Sequence, residues 1–245
     1  MEKTKSFKNP KPTIKLSDLD FTPVYIALFV VLISIVLFFL WKKKSQKRTD
    51  LLLTGLCESG KTLLFSQLLH NVVCETFTSI AENVGDYLAE GSGKVLRVID
   101  IPGHERLRGR FFDQYKNTAK GIVFVVDSTT VQKDIRDVAD YLYTILADPS
   151  VASVPILIAC NKQDETFSKG SSVIKPLLEK ELNLVRNTRQ NQLKSVDNST
   201  SEAVFLGKQG KDFEFGHLSQ SVDVIECSGK DNEVDSIEDW LKQFN

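Results

Sequence analysis

Cysteine is scarce and unpatterned in this chain of 245 residues: Cys57, Cys74, Cys160 and Cys227 form no C-x-x-C pair and no cluster with histidine. That excludes a zinc site and a dithiol redox centre, and it fits a reducing compartment. A large net charge is also missing. The formal charge is −1, but it is unevenly spread. Residues 1–48 hold ten Lys/Arg against Glu2, Asp18 and Asp20, a charge of +7, which leaves −8 on residues 49–245. An acidic body of that kind argues against binding to a nucleic-acid backbone, and no direct nucleic-acid partner is expected. Internal repeats are absent, which excludes solenoids and propellers. Met1-Glu2-Lys3 is no myristoylation signal, and no small-residue cleavage site comes after the one long apolar run.

That run is the first thing present. Val24 to Leu40 is apolar but for Ser34. With Phe21 to Pro23 and Trp41 it reaches about 20 residues, enough for a helix to span a hydrocarbon core of ~30 Å. Residues 21–41 are therefore expected to form a transmembrane helix, with Trp41 at the interface and Lys42-Lys43-Lys44 as the stop. Residues 1–20, polar and Lys-rich with Pro10 and Pro12, are expected to have little fixed structure. Residues 42–48 read as a basic linker. Five Lys precede the span and five Lys/Arg come after it, the second group close against it and free of acids. The positive-inside rule then puts the C-terminal side in the cytosol, and so short a linker would hold residues 49–245 near the lipid bilayer.

Residues 49–245 open on Gly55-Leu56-Cys57-Glu58-Ser59-Gly60-Lys61-Thr62, which fits G-x-x-x-x-G-K-[ST] between an apolar strand and an amphipathic helix. The glycines let the backbone wrap a phosphate, so Gly55, Glu58, Ser59 and Gly60 are expected to point N–H groups inward. Lys61 would reach the β- and γ-phosphates and Thr62 would hold Mg²⁺. The aperiodic stretch Val72 to Gly85 carries several hydroxyls. Ser79, or alternatively Thr78, would complete the Mg²⁺ shell. Asp100-Ile101-Pro102-Gly103 fits D-x-x-G at the end of an apolar strand. Asp100 would reach Mg²⁺ through water, and the Gly103 N–H would meet the γ-phosphate. His104 is next in the chain, where an imidazole could orient an attacking water.

Further along, the apolar strand Pro155 to Cys160 runs into Asn161-Lys162-Gln163-Asp164, an N-K-x-D motif. The Asp164 carboxylate can accept from guanine N1–H and the 2-amino group, donors that adenine lacks. Lys162 would lie along the base, and Asn161 would tie this loop to the phosphate loop. Cys227-Ser228-Gly229-Lys230 then fits a loop whose backbone N–H meets guanine O6. Three of the four cysteines lie in or beside these loops, so nucleotide is expected to protect thiols from alkylation. Residues 185–220 read as a surface insertion, with Val185 to Ala203 polar, aperiodic and mobile, and its sequon at Asn198 would carry no glycan in the cytosol.

Strands alternate with helices from residue 50 onward, with one hairpin at Gly91-Ser92-Gly93. The expected fold is α/β: a mostly parallel six-stranded sheet flanked by helices, a Ras-like P-loop GTPase, preceded by one transmembrane helix. The motif order is that of the Ras superfamily. The single span, the string Asp100-Ile101-Pro102-Gly103-His104-Glu105-Arg106-Leu107-Arg108, and Lys211-Asp212-Phe213-Glu214-Phe215 ahead of Glu226-Cys227-Ser228 together resemble the β subunit of the signal recognition particle receptor. The resemblance implies GTP and Mg²⁺ as cofactors and a single-pass protein of the endoplasmic reticulum membrane with a cytosolic GTPase domain. It further implies GTP-dependent retention of the receptor α subunit, bringing the ribosome to the translocon. A trafficking GTPase of Arf-like type, cycling with external factors, shares every nucleotide contact. No cis arginine finger stands out, so hydrolysis by the chain alone is expected to be slow.

Overall fold

The computed structural model describes residues 22–44, 48–88, 95–196 and 205–244. They fall into two units, Met1–Gln46 and Lys47–Asn245. The polar tail, the Gly91–Gly93 turn and the Asn198 sequon lie outside the described residues.

In the first unit, helix α1 covers Thr22–Lys44, 23 residues. The large apolar side chains described along it, Tyr25 to Phe38, are exposed on every side. Ser34, its one interior hydroxyl, returns a hydrogen bond to the Val30 carbonyl at 2.8 Å, so it presents no unpaired donor. Counted on the described residues alone, no helix is long and apolar enough to cross a membrane.

The second unit is a six-stranded sheet in the order β2-β3-β1-β4-β5-β6. The strands are β1 Asp50–Gly55, β2 Asn83–Leu88, β3 Val95–Asp100, β4 Ala119–Asp127, β5 Ile156–Asn161 and β6 Val222–Glu226. Only the β2–β3 pair is antiparallel. The mostly parallel six-stranded sheet expected from the alternation of elements is the one found. Leu51, Leu52 and Leu53 are all fully buried, as a central parallel strand covered on both faces requires. Their side chains alternate between two cores. Leu52 packs with α3 (Glu105–Tyr115), α4 (Val131–Leu146) and α5 (Ser171–Val196). Leu51 and Leu53 pack with α2 (Lys61–His70) and α6 (Asp235–Leu241). Two-sided cover leaves the carboxyl ends of the strands free to carry loops: the phosphate loop follows β1, D-x-x-G ends β3, N-K-x-D follows β5 and the Cys227–Gly229 loop follows β6.

Two elements depart from the sequence expectation. β2 begins at Asn83, inside the stretch Val72 to Gly85 read as aperiodic, because its polar residues are recruited by pairing with β3, Asn83 opposite Asp100. Residues 185–196, read as aperiodic, continue α5. The apolar stripe Ile174, Leu178, Leu182, Val185 gives way to polar packing on α4: Arg189 bonds Asp140 at 2.6 Å and stacks over Tyr143 at 4.8 Å. Periodicity of hydrophobicity cannot register such a seam. Pro176 lies in the second turn of α5, so no N–H meets the Ser172 carbonyl there. Beyond α5, Leu206, Phe213 and Phe215 are buried in the α3–α5 core, so this part of the expected insertion packs onto the body.

Arg186 fastens it. Only 5% exposed, its guanidinium donates to the carbonyls of Leu206 (3.0 Å) and Lys211 (2.8 Å) and to Asn183 Oδ1. Buried bonds from a charged donor are worth roughly 1.5–3 kcal/mol each. Arg186→Met should therefore speed amide hydrogen exchange in residues 205–215 by about tenfold or more, while exchange in β1, β4 and β5 stays slow. Unchanged exchange in 205–215 would show that the core aromatics alone hold the segment.

Candidate functional site

The site begins where β1 ends. Gly55 has φ +145°, and a Cβ there would meet the Val125 carbonyl oxygen at 2.3 Å. Gly60 has φ +86°, and a Cβ there would fall 2.2 Å from Asn161 Nδ2. The loop between them turns back on itself: Ser59 Oγ donates to the Leu56 carbonyl at 3.0 Å. No side chain caps α2, which leaves the amides of its first turn to the cavity. Lys61 is 6% exposed and folds its ammonium onto the Leu56 carbonyl at 2.5 Å. Burial lowers its pKa, and the nearby Asp100 charge only partly opposes this.

Asp100 ends β3 at the same edge. Its Oδ2 accepts from Thr62 Oγ1 at 2.7 Å and from Asn83 Nδ2 at 3.0 Å. Thr62 Oγ1 also lies 3.3 Å from Ser79 Oγ. Thr62, Ser79 and Asp100, the three expected Mg²⁺ ligands, are thus brought together, and Ser79 rather than Thr78 makes the contact. Asp100 Oδ1 is buried with no hydrogen-bond partner. Burial raises the Asp100 pKa against the bonds from Asn83 and Thr62. An orphaned carboxylate oxygen beside two hydroxyls suits a water on a hard divalent cation. Among the described residues no group of three His, Cys, Asp or Glu could hold a metal unaided. A cation here would need phosphate oxygens to complete its shell, which is the usual manner of Mg²⁺.

A cavity of about 290 Å³ opens over these groups, lined by Gly60, Lys61, Thr62, Ser79, Pro102 and Gly103 among others. Gly103 is needed for a reason the motif does not reveal: a Cβ would lie 2.7 Å from both the Leu56 oxygen and the Cys57 nitrogen. His104 is not among the lining residues. It caps α3, its Nδ1 accepting from the Arg106 N–H at 3.3 Å. Its neighbours Pro102 and Gly103 do line the cavity.

The base-reading motifs meet at the ends of β5 and β6. Asn161 Nδ2 donates to the Ser59 carbonyl at 2.8 Å, while its Oδ1 accepts from the Gly229 N–H at 3.0 Å. One buried amide thus joins the phosphate loop to the loop at Cys227–Gly229. Asp164, 7% exposed in its side chain, accepts from Ser228 Oγ at 2.7 Å and lies 3.5 Å from Lys230 Nζ. Lys162, at φ +69°, sets its ammonium 2.5 Å from Asp127 Oδ2. Burial pushes Asp127 up, but Lys162 and Thr129 outweigh it and hold the carboxyl below its ordinary value. Asp127, Asn83 and Gln67 went unread in the sequence. The first two stand at strand ends opposite motif residues, the only signal that could have found them.

Phosphate loop, D-x-x-G and N-K-x-D on the carboxyl edge of a mostly parallel sheet define the Ras/Arf-like GTPase fold, which a Trypanosoma brucei Arl6 structure shares at TM-score 0.53 and 16% identity. Within that class the similarity is specific. The family profile described as signal recognition particle receptor beta subunit matches residues 45–222. The rat signal recognition particle receptor subunit beta is 42% identical over 232 residues, 90% of this chain and 86% of its own length. The structure described as that of the mammalian SRP receptor matches at 41% identity and TM-score 0.72, covering 80% of this chain and all of that one. The chain belongs to the signal recognition particle receptor β subunit family.

The geometry can be tested at its thiols and at the base. Cys57 and Cys74 are exposed, whereas Cys160 and Cys227 are buried. Burial, with Glu226 adding, pushes the Cys160 thiol up to about 12, and burial also raises Cys227. Alkylation of the folded chain near pH 8 should label Cys57 and Cys74 only, and guanine nucleotide should slow labelling of Cys57, which lines the cavity. Labelling of all four thiols, or no nucleotide effect at Cys57, would contradict this arrangement. Asp164→Asn should shift preference from GTP toward xanthosine triphosphate by roughly 100-fold or more, because the reversed hydrogen-bond pattern suits xanthine. Competition binding measures it, and unchanged GTP preference would remove Asp164 from base reading.

Proposed function

We infer that this chain is the membrane-anchored, GTP-binding subunit of a signal recognition particle receptor, which holds the receptor α subunit at the endoplasmic reticulum when GTP is bound. The observation that carries the nucleotide reading is the Asn161 amide, which fixes the phosphate loop and the base loop as one receptor site. Lys61 and the α2 amides would meet the phosphates. Thr62, Ser79 and Asp100 would hold Mg²⁺, which when bound neutralises phosphate charge. Asp164 and the loop at Cys227–Gly229 would read guanine. A fungal relative of the same fold, at 21% identity and TM-score 0.65, is described as an SRb-GTP/SRX complex, which supports a nucleotide-dependent partner.

The partner surface would adjoin the stretch Val72 to Gly85, the first switch of the nucleotide site. Phe77 (86% exposed) and Ile80 (81%) flank Ser79, and Val84 and Leu88 are exposed along the edge strand β2. The apolar run Val24 to Leu40 of the sequence supports the anchor, and membership of the family supports the reticulum as its membrane. The ribosome and translocon enter as partners of the assembled receptor.

A pull-down of the full chain from detergent extract tests this. GTP should retain the α subunit and GDP should release it, and Lys61→Ala should lose nucleotide and partner together. Equal α-subunit retention by Lys61→Ala would refute the switch. Capture of a cycling exchange factor in its place would favour the Arf-like trafficking reading.

A further inference from the structure

Gln67 belongs to none of the nucleotide motifs, yet it is 4% exposed on α2, the helix that starts at Lys61. Its Nε2 donates to the Gly229 carbonyl at 3.1 Å. From the other side the Gly229 N–H is held by Asn161 Oδ1 at 3.0 Å. The two peptide units around Gly229 are therefore gripped by α2 and by the end of β5. The approach is close: a Cβ on Gly229 would lie 3.2 Å from Leu64 Cδ2 and 3.4 Å from Leu63 Cγ, both on α2.

Packing alone does not account for an amide here. Gln67 Oε1 is buried with no hydrogen-bond partner. An unsatisfied buried acceptor costs about 1–3 kcal/mol, so an apolar side chain of the same length would pack at lower cost. What the amide provides is its hold on Gly229.

We propose that Gln67 is a positioning residue for guanine recognition: it holds the Cys227–Gly229 loop at the depth where the loop backbone meets the O6 edge of the base. This rests on the guanine-nucleotide reading above and adds the residue that sets one of its two base contacts. The other contact, Asp164 to N1–H and the 2-amino group, is carried by the chain leaving β5 and by the Ser228 hydroxyl. Ser228 ties Asp164 to the same loop, but Asp164 is also set by the chain leaving β5, so the O6 edge depends on Gln67 more than the 2-amino edge does. The arrangement also makes α2 a common support, with phosphate at its first turn and the base loop two turns on.

The test uses the full chain in detergent and three probes: GDP, 6-thio-GDP, which replaces O6 by a weaker acceptor, and IDP, which lacks the 2-amino group. Gln67→Met keeps length and volume but removes the donor. It should cut the preference for GDP over 6-thio-GDP by roughly 3- to 10-fold, the value of one buried hydrogen bond. The preference for GDP over IDP should stay within about twofold, and the thermal midpoint should not fall. Gln67→Leu should reproduce the pattern should the Met variant fold poorly. An unchanged O6 preference, or an equal loss of both preferences, would overturn the proposal. A wild-type chain with no preference for GDP over ADP would overturn the guanine reading itself, and the proposal with it.

Discussion

The side chain of Asn161 is the interaction on which the rest of the site depends. Its two amide atoms face opposite ways, to the Ser59 carbonyl and to the Gly229 N–H, and the residue is 1% exposed. Each bond alone is worth about 0.5–1.5 kcal/mol net. Their structural effect is larger, because they join loops more than 60 residues away on either side, Ser59 at 102 and Gly229 at 68. Losing the side chain would strand a buried carbonyl and a buried N–H together. The Gly60 backbone records the same constraint, since the amide sits where its Cβ would be.

Charge at the phosphate end is arranged as an unfinished circuit. A buried ammonium and a buried carboxylate lie at one edge, and burial disfavours the charged form of each. The Lys61 ammonium leans on a loop carbonyl, and Asp100 keeps one oxygen without a partner. Phosphate with a divalent cation would supply what both groups lack: an anion for the lysine and an acceptor of the carboxylate's spare lone pairs. Ligand binding and local electrostatic stability are therefore the same event, which is the behaviour expected of a nucleotide-ordered switch.

Much of this was legible in the sequence where chemistry demands a residue type at a spacing. Gly60, Lys61, Thr62, Asp100 and Asn161 could be assigned because few alternatives fit a phosphate, a cation or a tight loop. The buried strands were legible because two covered faces require unbroken apolar runs. What was not legible was set by neighbours distant in the chain. Gln67 meets Gly229 across 162 residues, and Lys162 meets Asp127 across 35. The last turns of α5 are held by Arg189 on Asp140 and Tyr143, polar contacts with no hydrophobic period. His104 was assigned from its place after D-x-x-G, but the backbone at the start of α3 gives its imidazole a cap to fill.

That last displacement bears on how the chain would work. A ligand shifts a conformational equilibrium only by its difference in affinity for the two states. Phe77 to Ile80 meet the cation site through one hydroxyl pair, Ser79 with Thr62 at 3.3 Å, while Asn83, where the stretch joins β2, bonds Asp100 at 3.0 Å. Phe77 and Ile80, on either side of Ser79, are among the most exposed large apolar residues of the second unit. An apolar segment held by so slight a contact has little to order it alone, and a cation on Ser79 would order it at the point where a partner could cover it. The ordering entropy would then be spent at nucleotide binding rather than at partner binding, so the two events become cooperative without fast chemistry. A catalytic imidazole is not needed for that coupling, and a slow hydrolytic step would prolong the partner-bound state.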